Sequence, residues 1–137
     1  MTDDTTVQRL VAAARAAREH AYAPYSHFAV GAALLDEQGR IHAGCNIENA
    51  AYPQSQCAEA TALGQLVMAG GRRVVAAAVV GVAAQPVTPC GGCRQRLREF
   101  ADDDMPVWVA DLSTVRAQYT LGQLLPASFG PDHLEPR

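Results

Sequence analysis

Hydrophobic residues near the start of the chain recur at intervals of three and four, which is the spacing of one face of a helix. This stripe runs from Val7 to Ala21, and the arginines of the segment lie largely outside it. Thr5 and Gln8 have the spacing of a capping box. We therefore predict an amphipathic helix that begins there and ends at residues 22–25, which contain a proline.

Apolar runs bounded by turn residues predict strands in the next part of the chain. The run from His27 to Leu35 predicts a strand, residues 36–39 a hairpin turn, and the segment from Ile41 to Asn46 the returning strand. Residues 74–82 are almost wholly apolar and rich in valine. That composition is typical of a central strand that is covered on both faces.

The remaining pattern predicts two further helices, two short strands and an irregular tail. Ser55 is predicted to cap a helix over residues 57–69, and Pro89 to open a second helix. We predict a short strand at 107–110, an edge strand at 115–120, one or two helical turns at 121–125, and an extended tail containing Pro126, Gly130, Pro131 and Pro136. Together these elements predict one domain over residues 1–137 with an α/β fold. We expect three layers, α/β/α, in which helices cover both faces of a mixed sheet of about five strands.

Composition and charge narrow the classes of function. The formal charge is −3 and no segment clusters lysine or arginine with aromatic residues, so we expect no nucleic-acid partner. The acidic run at 102–104 is interpreted as a solvated turn. The N-terminus lacks the pattern of a signal peptide, and the longest apolar run, 74–84, is too short to cross a bilayer. Four cysteines in such a chain favour thiols and metal ligands in the cytoplasm.

Two short motifs combine three thiols with one carboxylate. Cys57 and Glu59 stand in the first motif, and Cys90 and Cys93 in the second. Three thiolates suit a tetrahedral zinc ion whose fourth position is open to water, and a nearby glutamate can move that water's protons. Residues three apart share a helix face, so Cys90 and Cys93 can converge on one ion. Glu59 reaches the same point only if Cys57 lies in an irregular first turn.

Two other interpretations of the cysteines stay open at this point. One is a closed structural zinc site with Cys45 as the fourth ligand, and the other is a redox-active pair formed by Cys90 and Cys93. Cys45 has no partner near it in sequence, which favours a buried, unreactive thiol. A structural site would also have no use for Glu59.

The motifs resemble the small, homotetrameric, three-cysteine cytidine deaminases. The resemblance is carried by the runs at 28–34, 45–52, 57–59, 89–95, 99–100 and 123–129, in that family's order and spacing. It implies one zinc ion per chain, held by Cys57, Cys90 and Cys93. It also implies that zinc-activated water attacks C4 of the pyrimidine, while Glu59 carries protons to ring N3 and to the departing amine.

The resemblance further implies a substrate, an assembly and a set of contacts. The substrate would be a pyrimidine nucleoside, cytidine or 2′-deoxycytidine, and the product uridine or 2′-deoxyuridine. The assembly would be a homotetramer with active sites near subunit interfaces. Asn46 and Glu48 would hold the ribose 3′-hydroxyl, Phe28 would lie against the base, and the Ala58 backbone would read the pyrimidine edge. Phe129 would be the aromatic residue that a neighbouring subunit inserts over the substrate.

Two residues depart from the family pattern. Ala60 stands where the family often has an arginine that donates to a zinc thiolate, and Gly92 stands where alanine is common. Three thiolates on Zn²⁺ leave one net negative charge, which weakens the metal as a Lewis acid. We therefore predict an arginine, or a set of amide donors, within hydrogen-bonding range of a ligand sulfur. Arg94 is the nearest candidate in sequence.

Three other functions compete with nucleoside deamination. The first is deamination of a modified cytosine nucleoside or antibiotic, against which the Asn46–Glu48 motif argues. The second is a zinc-stabilised binding module without catalysis, in which Glu59 would have no role. The third is editing of RNA or DNA, which the acidic balance and the lack of a basic channel disfavour.

Overall fold

The computed structural model describes residues 2–134. The predicted tail residue Pro136 lies outside them. The helices are α1 (Asp4–Arg18), α2 (Ala58–Met68), α3 (Gly91–Arg98) and α4 (Leu121–Leu124). The strands are β1 (Gly31–Asp36), β2 (Ile41–Cys45), β3 (Val74–Val80), β4 (Pro106–Ala110) and β5 (Val115–Thr120).

The five strands form one mixed sheet in the order β2-β1-β3-β4-β5. β3 pairs parallel with β4, and the other neighbours pair antiparallel. The predicted hairpin, the central position of β3 and the edge position of β5 are confirmed. Among residues 2–134 there is no helix with both the length and the apolar character of a membrane span.

Alternate residues of the central strands point to two separate cores, which gives the three predicted layers. Leu10, Val11 and Ala14 of α1 pack with Ala78 and Trp108 on one face of the sheet. On the other face, residues of α2, α3 and α4 pack with the opposite positions of β1, β3 and β4. The three-layer α/β/α fold with a mixed five-stranded sheet is therefore confirmed.

Two glycines allow helices to approach the sheet closely. A Cβ atom at Gly31 would lie 1.9 Å from the carbonyl oxygen of Ala14 in α1. A Cβ atom at Gly44 would lie 2.4 Å from the backbone nitrogen of Ala62 in α2. No side chain fits at these distances, so both helices rest directly on strand backbone. The contact at Gly44 fixes the start of α2, where the first candidate ligand lies.

Several predicted element boundaries are wrong. Helix α1 ends at Arg18 and not at residues 22–25, and α3 begins at Gly91, after the N-cap Cys90, and not at Pro89. Asp3 caps α1 by accepting from the backbone N–H of Thr6, so the helix does not begin with a capping box at Thr5. Cys57, with extended backbone, is the N-cap of α2, and the Ser55 hydroxyl accepts from the N–H of Asn49 instead. His27 has a φ of 60°, a left-handed conformation that a strand cannot contain. The backbone groups of Phe28 and Val30 bond to the Asn46 side chain, and the strand predicted from His27 begins only at Gly31.

A buried carboxylate closes the hairpin and joins it to α2. Asp36 is 1% exposed and accepts from the backbone N–H groups of Gln38 and Arg40 at 2.8 and 2.9 Å. Its second oxygen lies 2.7 Å from Arg40 Nε and 2.8 Å from His42 Nε2. Arg40 also donates to the Ala69 carbonyl oxygen at 2.9 Å. Burial alone would raise the pKa of Asp36, but these hydrogen bonds outweigh it and hold the pKa well below its usual range.

We expect Asp36→Ala to lower the free energy of unfolding by at least about 2 kcal/mol, because the donors around the carboxylate lose their acceptor. The depressed pKa means that the ionic contribution is complete above the unfolded-state pKa of about 3.9 and is lost as pH falls through the lower folded-state value. Urea unfolding should be measured for both proteins at pH 7 and at pH 3. The difference in the free energy of unfolding between Asp36→Ala and the native chain should be larger at pH 7 than at pH 3. Asp102→Ala, which removes the exposed partner of Arg73, is the control and should change stability little at either pH. An equal effect of the two variants would contradict the role of Asp36.

Candidate metal centre

A cysteine directly precedes each of the helices α2 and α3. Cys57 and Cys90 are their N-caps, with extended backbone (φ −73°, ψ 156° and φ −65°, ψ 165°) and no capping side-chain hydrogen bond. Both thiols are therefore available to another partner. Cys93 lies in the first turn of α3, on the same side of that helix as Cys90.

The three sulfur atoms converge. Cys57, Cys90 and Cys93 have Sγ atoms within 4.8 Å of one another, and Cys57 Sγ is 3.7 Å from Cys90 Sγ. A tetrahedral zinc ion with Zn–S bonds of about 2.3 Å separates its sulfur ligands by about 3.8 Å, whereas a disulfide requires about 2.05 Å. The cluster therefore fits a zinc ion. Cys45 is not part of it, so within residues 2–134 the closed four-cysteine alternative lacks its fourth ligand.

The three thiols differ in their tendency to ionise. Burial raises the pKa of Cys57 and of Cys93, and the neighbouring acidic groups add to this effect. Burial also opposes ionisation of Cys90, but hydrogen bonds from the backbone N–H of Cys93 and from the other two thiols outweigh it, so the pKa of Cys90 is lowered. A bound divalent cation would favour the thiolate form at all three positions.

The Glu59 carboxyl lies at the same place. Glu59 is in the first turn of α2, 5% exposed, and lines a cleft together with Cys57 and Cys90. Burial raises the pKa of Glu59, although a hydrogen bond with Cys93 and the charge of Arg96 act in the opposite direction. Because Cys57 is an extended N-cap and not a helical residue, the glutamate two positions later reaches the cleft. This is the irregular first turn that Glu59 needs in order to reach the predicted metal site.

The cleft has a volume of about 290 Å³. It contains four of the predicted contact residues, Phe28, Asn46, Glu48 and Ala58. Sequence reasoning missed five of its lining residues: Ser26, Val30, Val79, Val87 and Thr88. Val87 and Thr88 directly precede Pro89 and Cys90, and that proximity could have identified them. A larger depression of about 410 Å³, around Arg73, Asp102 and Trp108, contains no cysteine.

Two loop residues hold the polar edge of the cleft in place. The Glu48 carboxylate accepts from the backbone N–H groups of Tyr25 and Ser26, at 2.9 and 3.1 Å, and from the Ser26 hydroxyl. The Ser26 hydroxyl is the main reason why the pKa of Glu48 is lowered. Asn46 donates to the Phe28 carbonyl oxygen at 2.8 Å and accepts from the N–H of Val30 at 2.9 Å. These contacts fix the segment that carries Phe28.

Phe129 does not line this cleft within the chain. Its ring stacks on His133 with a centroid distance of 5.0 Å, and its carbonyl oxygen accepts from Gln95 Nε2 at 2.8 Å. The side chain of Phe129 is nevertheless 56% exposed. The role of Phe129 over a substrate therefore stays a prediction.

An arginine does lie beside a cluster sulfur, but it is not Arg94. Arg96 Nη1 is 3.8 Å from Cys93 Sγ. The Arg94 guanidinium instead donates to the carbonyl oxygens of Pro89 and Leu124, both at 2.7 Å, and to the Thr88 hydroxyl. Arg94 thus joins the start of α3 to α4, and the candidate chosen by proximity in sequence was wrong.

Comparisons with known proteins agree with this geometry. The family described as "Cytidine and deoxycytidylate deaminase zinc-binding region" matches residues 4–109. A curated cytidine deaminase of Sporosarcina psychrophila is 48% identical over 93% of this chain and 94% of its own length. One of Mycobacterium tuberculosis is 43% identical over 83% of this chain and 82% of its own. The crystal structure of a cytidine deaminase from Burkholderia pseudomallei superposes with a TM-score of 0.83, at 46% identity, covering 89% of this chain and 98% of that one.

We expect Cys57→Ser, Cys90→Ser and Cys93→Ser each to reduce the zinc content from about one ion per chain to a small fraction, because a hydroxyl is a much poorer zinc ligand than a thiolate. Elemental analysis after dialysis against a weak chelator measures this directly. Cys45→Ser is the matched control, since Cys45 lies outside the sulfur cluster, and it should retain its zinc. Full zinc retention by any of the three cluster variants would exclude that residue as a ligand.

Proposed function

This chain belongs to the zinc-dependent cytidine deaminase family, and we propose that it hydrolyses cytidine and 2′-deoxycytidine to the uridine nucleosides and ammonia at the cleft that contains Glu59. The observation that carries this proposal is the buried Glu59 carboxyl beside three convergent sulfur atoms. Zinc is the cofactor of the family, and the sulfur cluster fits it. A pyrimidine nucleoside is the class of substrate.

We assign Cys57, Cys90 and Cys93 as the residues that hold the ion. When zinc is bound, it supplies a Lewis acid that makes a water molecule nucleophilic near neutral pH. Two of the thiols stand at helix N-termini, where the backbone N–H groups and the helix dipole stabilise negative charge. This chain therefore brings its own partial positive charges to an anionic ligand set.

Glu59 moves the protons of the reaction. Its carboxylate accepts a proton from the attacking water and delivers it to ring N3 as the new C4–O bond forms. It then carries the second water proton to the exocyclic nitrogen, so the C4–N bond breaks and ammonia leaves. One carboxylate at one place can serve both transfers because both acceptors lie on the same edge of the pyrimidine.

The polar edge of the cleft suits the sugar, and its apolar part suits the base. The Glu48 carboxylate would accept a hydrogen bond from the ribose 3′-hydroxyl, and the Asn46 amide would donate one to it. Both groups keep hydrogen-bonding capacity beyond their contacts within the chain. Phe28 lines the cleft with 39% of its surface exposed, and Ala58, which is fully buried, lines it too. We propose that the Phe28 ring packs against the base, and that the backbone of Ala58 binds the pyrimidine edge.

We propose that the protein acts in the cytoplasm. The cysteines of the described chain are free thiols, and three of them are needed in reduced form to bind zinc. A reducing compartment keeps them in that form, whereas an oxidising one would favour disulfides.

Glu59→Gln tests the catalytic assignment. The amide occupies the same space but cannot take a proton, so we expect turnover to fall by about 10²–10⁴-fold while zinc content and thermal unfolding stay the same. The change in ultraviolet absorption as cytidine becomes uridine measures the rate. Glu99→Gln, an exposed position at the end of α3, is the control and should keep native turnover. Native turnover in Glu59→Gln would refute the assignment.

We also propose a homotetramer in which Phe129 of one subunit covers the cleft of a neighbour. The exposed Phe129 ring and its absence from the cleft of its own chain support this arrangement. The carbonyl of Phe129 is fixed on α3 by Gln95, so the ring is held in a defined direction at the molecular surface.

Mixing two variants tests whether Phe129 acts across subunits. Phe129→Ala should raise the KM for cytidine by about tenfold, because stacking of a base on an aromatic ring is worth about 1–3 kcal/mol. Tetramers reassembled from Phe129→Ala and Glu59→Gln chains should contain sites with both residues intact, and should recover part of the low-KM activity. Leu134→Ala, an exposed residue of the same tail, is the control. No recovery on mixing, with tetramers verified by sedimentation, would place Phe129 outside the neighbouring site.

A further inference from the structure

The proposed zinc site carries an unbalanced charge. Three thiolates and one Zn²⁺ sum to −1, in a place where Cys93 is fully buried and Glu59 is 5% exposed. An uncompensated anion in partly desolvated surroundings is unfavourable. Ala60, which follows Glu59, offers no charge, so a compensating cation from this chain has to come from another position.

Arg96 is placed to supply this charge. Its Nη1 lies 3.8 Å from Cys93 Sγ, one helical turn away along α3. Among residues 2–134, Arg96 makes no salt bridge, and Cys93 is its sole side-chain hydrogen-bond partner. The other arginines of α3 have different roles, since Arg94 binds carbonyl oxygens and Arg98 pairs with Asp132. The guanidinium of Arg96 is thus directed at a sulfur atom and at no other side chain.

Gly92 provides the space that this geometry needs. A Cβ atom at Gly92 would lie 3.2 Å from Arg96 Nη1 and 4.0 Å from Cys90 Sγ. A methyl group there would press against the guanidinium that lies over the first turn of α3. The preceding residue, Gly91, has no atom within 4 Å of its hypothetical Cβ. The same helix therefore contains one glycine whose Cβ would meet Arg96 and one whose Cβ would meet no side chain.

We propose that Arg96 is a positioning residue that neutralises the net negative charge of the zinc-thiolate group through Cys93, and that Gly92 is the glycine that permits it. This inference rests on the zinc site of the proposed function. A hydrogen bond from a cationic donor to a ligand sulfur stabilises the ionised ligand and reduces the electron density that the sulfur donates. Arg96 thus makes the loaded site more stable and its metal more electrophilic.

The zinc affinity of four proteins tests the charge: the native chain, Arg96→Gln, Arg96→Lys and Arg9→Gln. Arg9→Gln removes the same charge from an exposed site on α1, across the sheet, and is the control. Competition with a chelator at pH 7.4 should show about tenfold weaker zinc binding for Arg96→Gln. This loss is at the lower end of the range found when a residue that contacts a metal ligand is replaced, because solvent screens the charge of the exposed guanidinium. Arg96→Lys should recover part of the loss, and Arg9→Gln should match the native chain.

The cobalt-substituted proteins give a second readout that general loss of stability would not move. Without the guanidinium the sulfur lone pairs are less stabilised, so the thiolate-to-cobalt charge-transfer band of Arg96→Gln should shift to longer wavelength. Gly92→Ala should reproduce part of both effects, whereas Gly91→Ala should reproduce neither. In the Arg96→Gln background, Gly92→Ala should add nothing further, because the group that it displaces is already absent.

Equal zinc affinity and an unshifted band in Arg96→Gln, relative to Arg9→Gln, would overturn the proposal. Equal effects of Gly91→Ala and Gly92→Ala would overturn the part assigned to Gly92. These results are separate from the test of the reaction. Native turnover in Glu59→Gln would refute the deaminase mechanism and would leave the Arg96 measurements valid. Loss of turnover in Glu59→Gln, together with no effect of Arg96→Gln on zinc affinity or on the band, would refute only the role of Arg96.

Discussion

The convergence of two helix N-termini on one point is the constraint that the rest of the structure satisfies. Cys57 and Cys90 are both N-caps, and their sulfur atoms lie 3.7 Å apart although 33 residues separate them. Both helices pack on the same face of the sheet, which lets their N-termini meet. The strand order β2-β1-β3-β4-β5 provides that arrangement, and Gly44 lets α2 rest directly on β2.

The electrostatics of the site follow from the same convergence. N-terminal helix turns present unpaired N–H groups and a partial positive charge, so they suit thiolates. The site also contains Glu59, whose burial makes its charged form expensive. Two helix ends and the Arg96 guanidinium therefore face three sulfur atoms and one carboxyl. These groups lie at and beside the cleft of about 290 Å³ that Cys57, Glu59 and Cys90 line.

Sequence reasoning predicted the elements whose pattern is local and strong. The valine run of β3, the hairpin between β1 and β2, and the placement of Cys90 and Cys93 on one side of a helix each depend on local spacing. The approach of Cys57 to that pair is a tertiary contact, which the resemblance implied. The errors lie where backbone conformation or side-chain direction decides. The left-handed His27 cannot be read from an apolar run, and the caps at Asp3 and Cys57 depend on dihedral angles. Arg94 is closer to Cys93 in sequence, but a helix directs residue i+3, Arg96, back over the first turn.

The polar edge of the cleft shows why its full composition could not be predicted. Asn46 and Glu48 would bind the sugar, yet each also holds the backbone of residues 25–30 by hydrogen bonds. Those bonds support the unusual conformation at His27 and place Ser26 and Phe28 in the cleft. Two polar residues thus fix both the shape of the pocket and its hydrogen-bonding groups before any ligand arrives. Such preorganisation lowers the entropy cost of binding. It arises from contacts between segments about twenty residues apart, which no local pattern records.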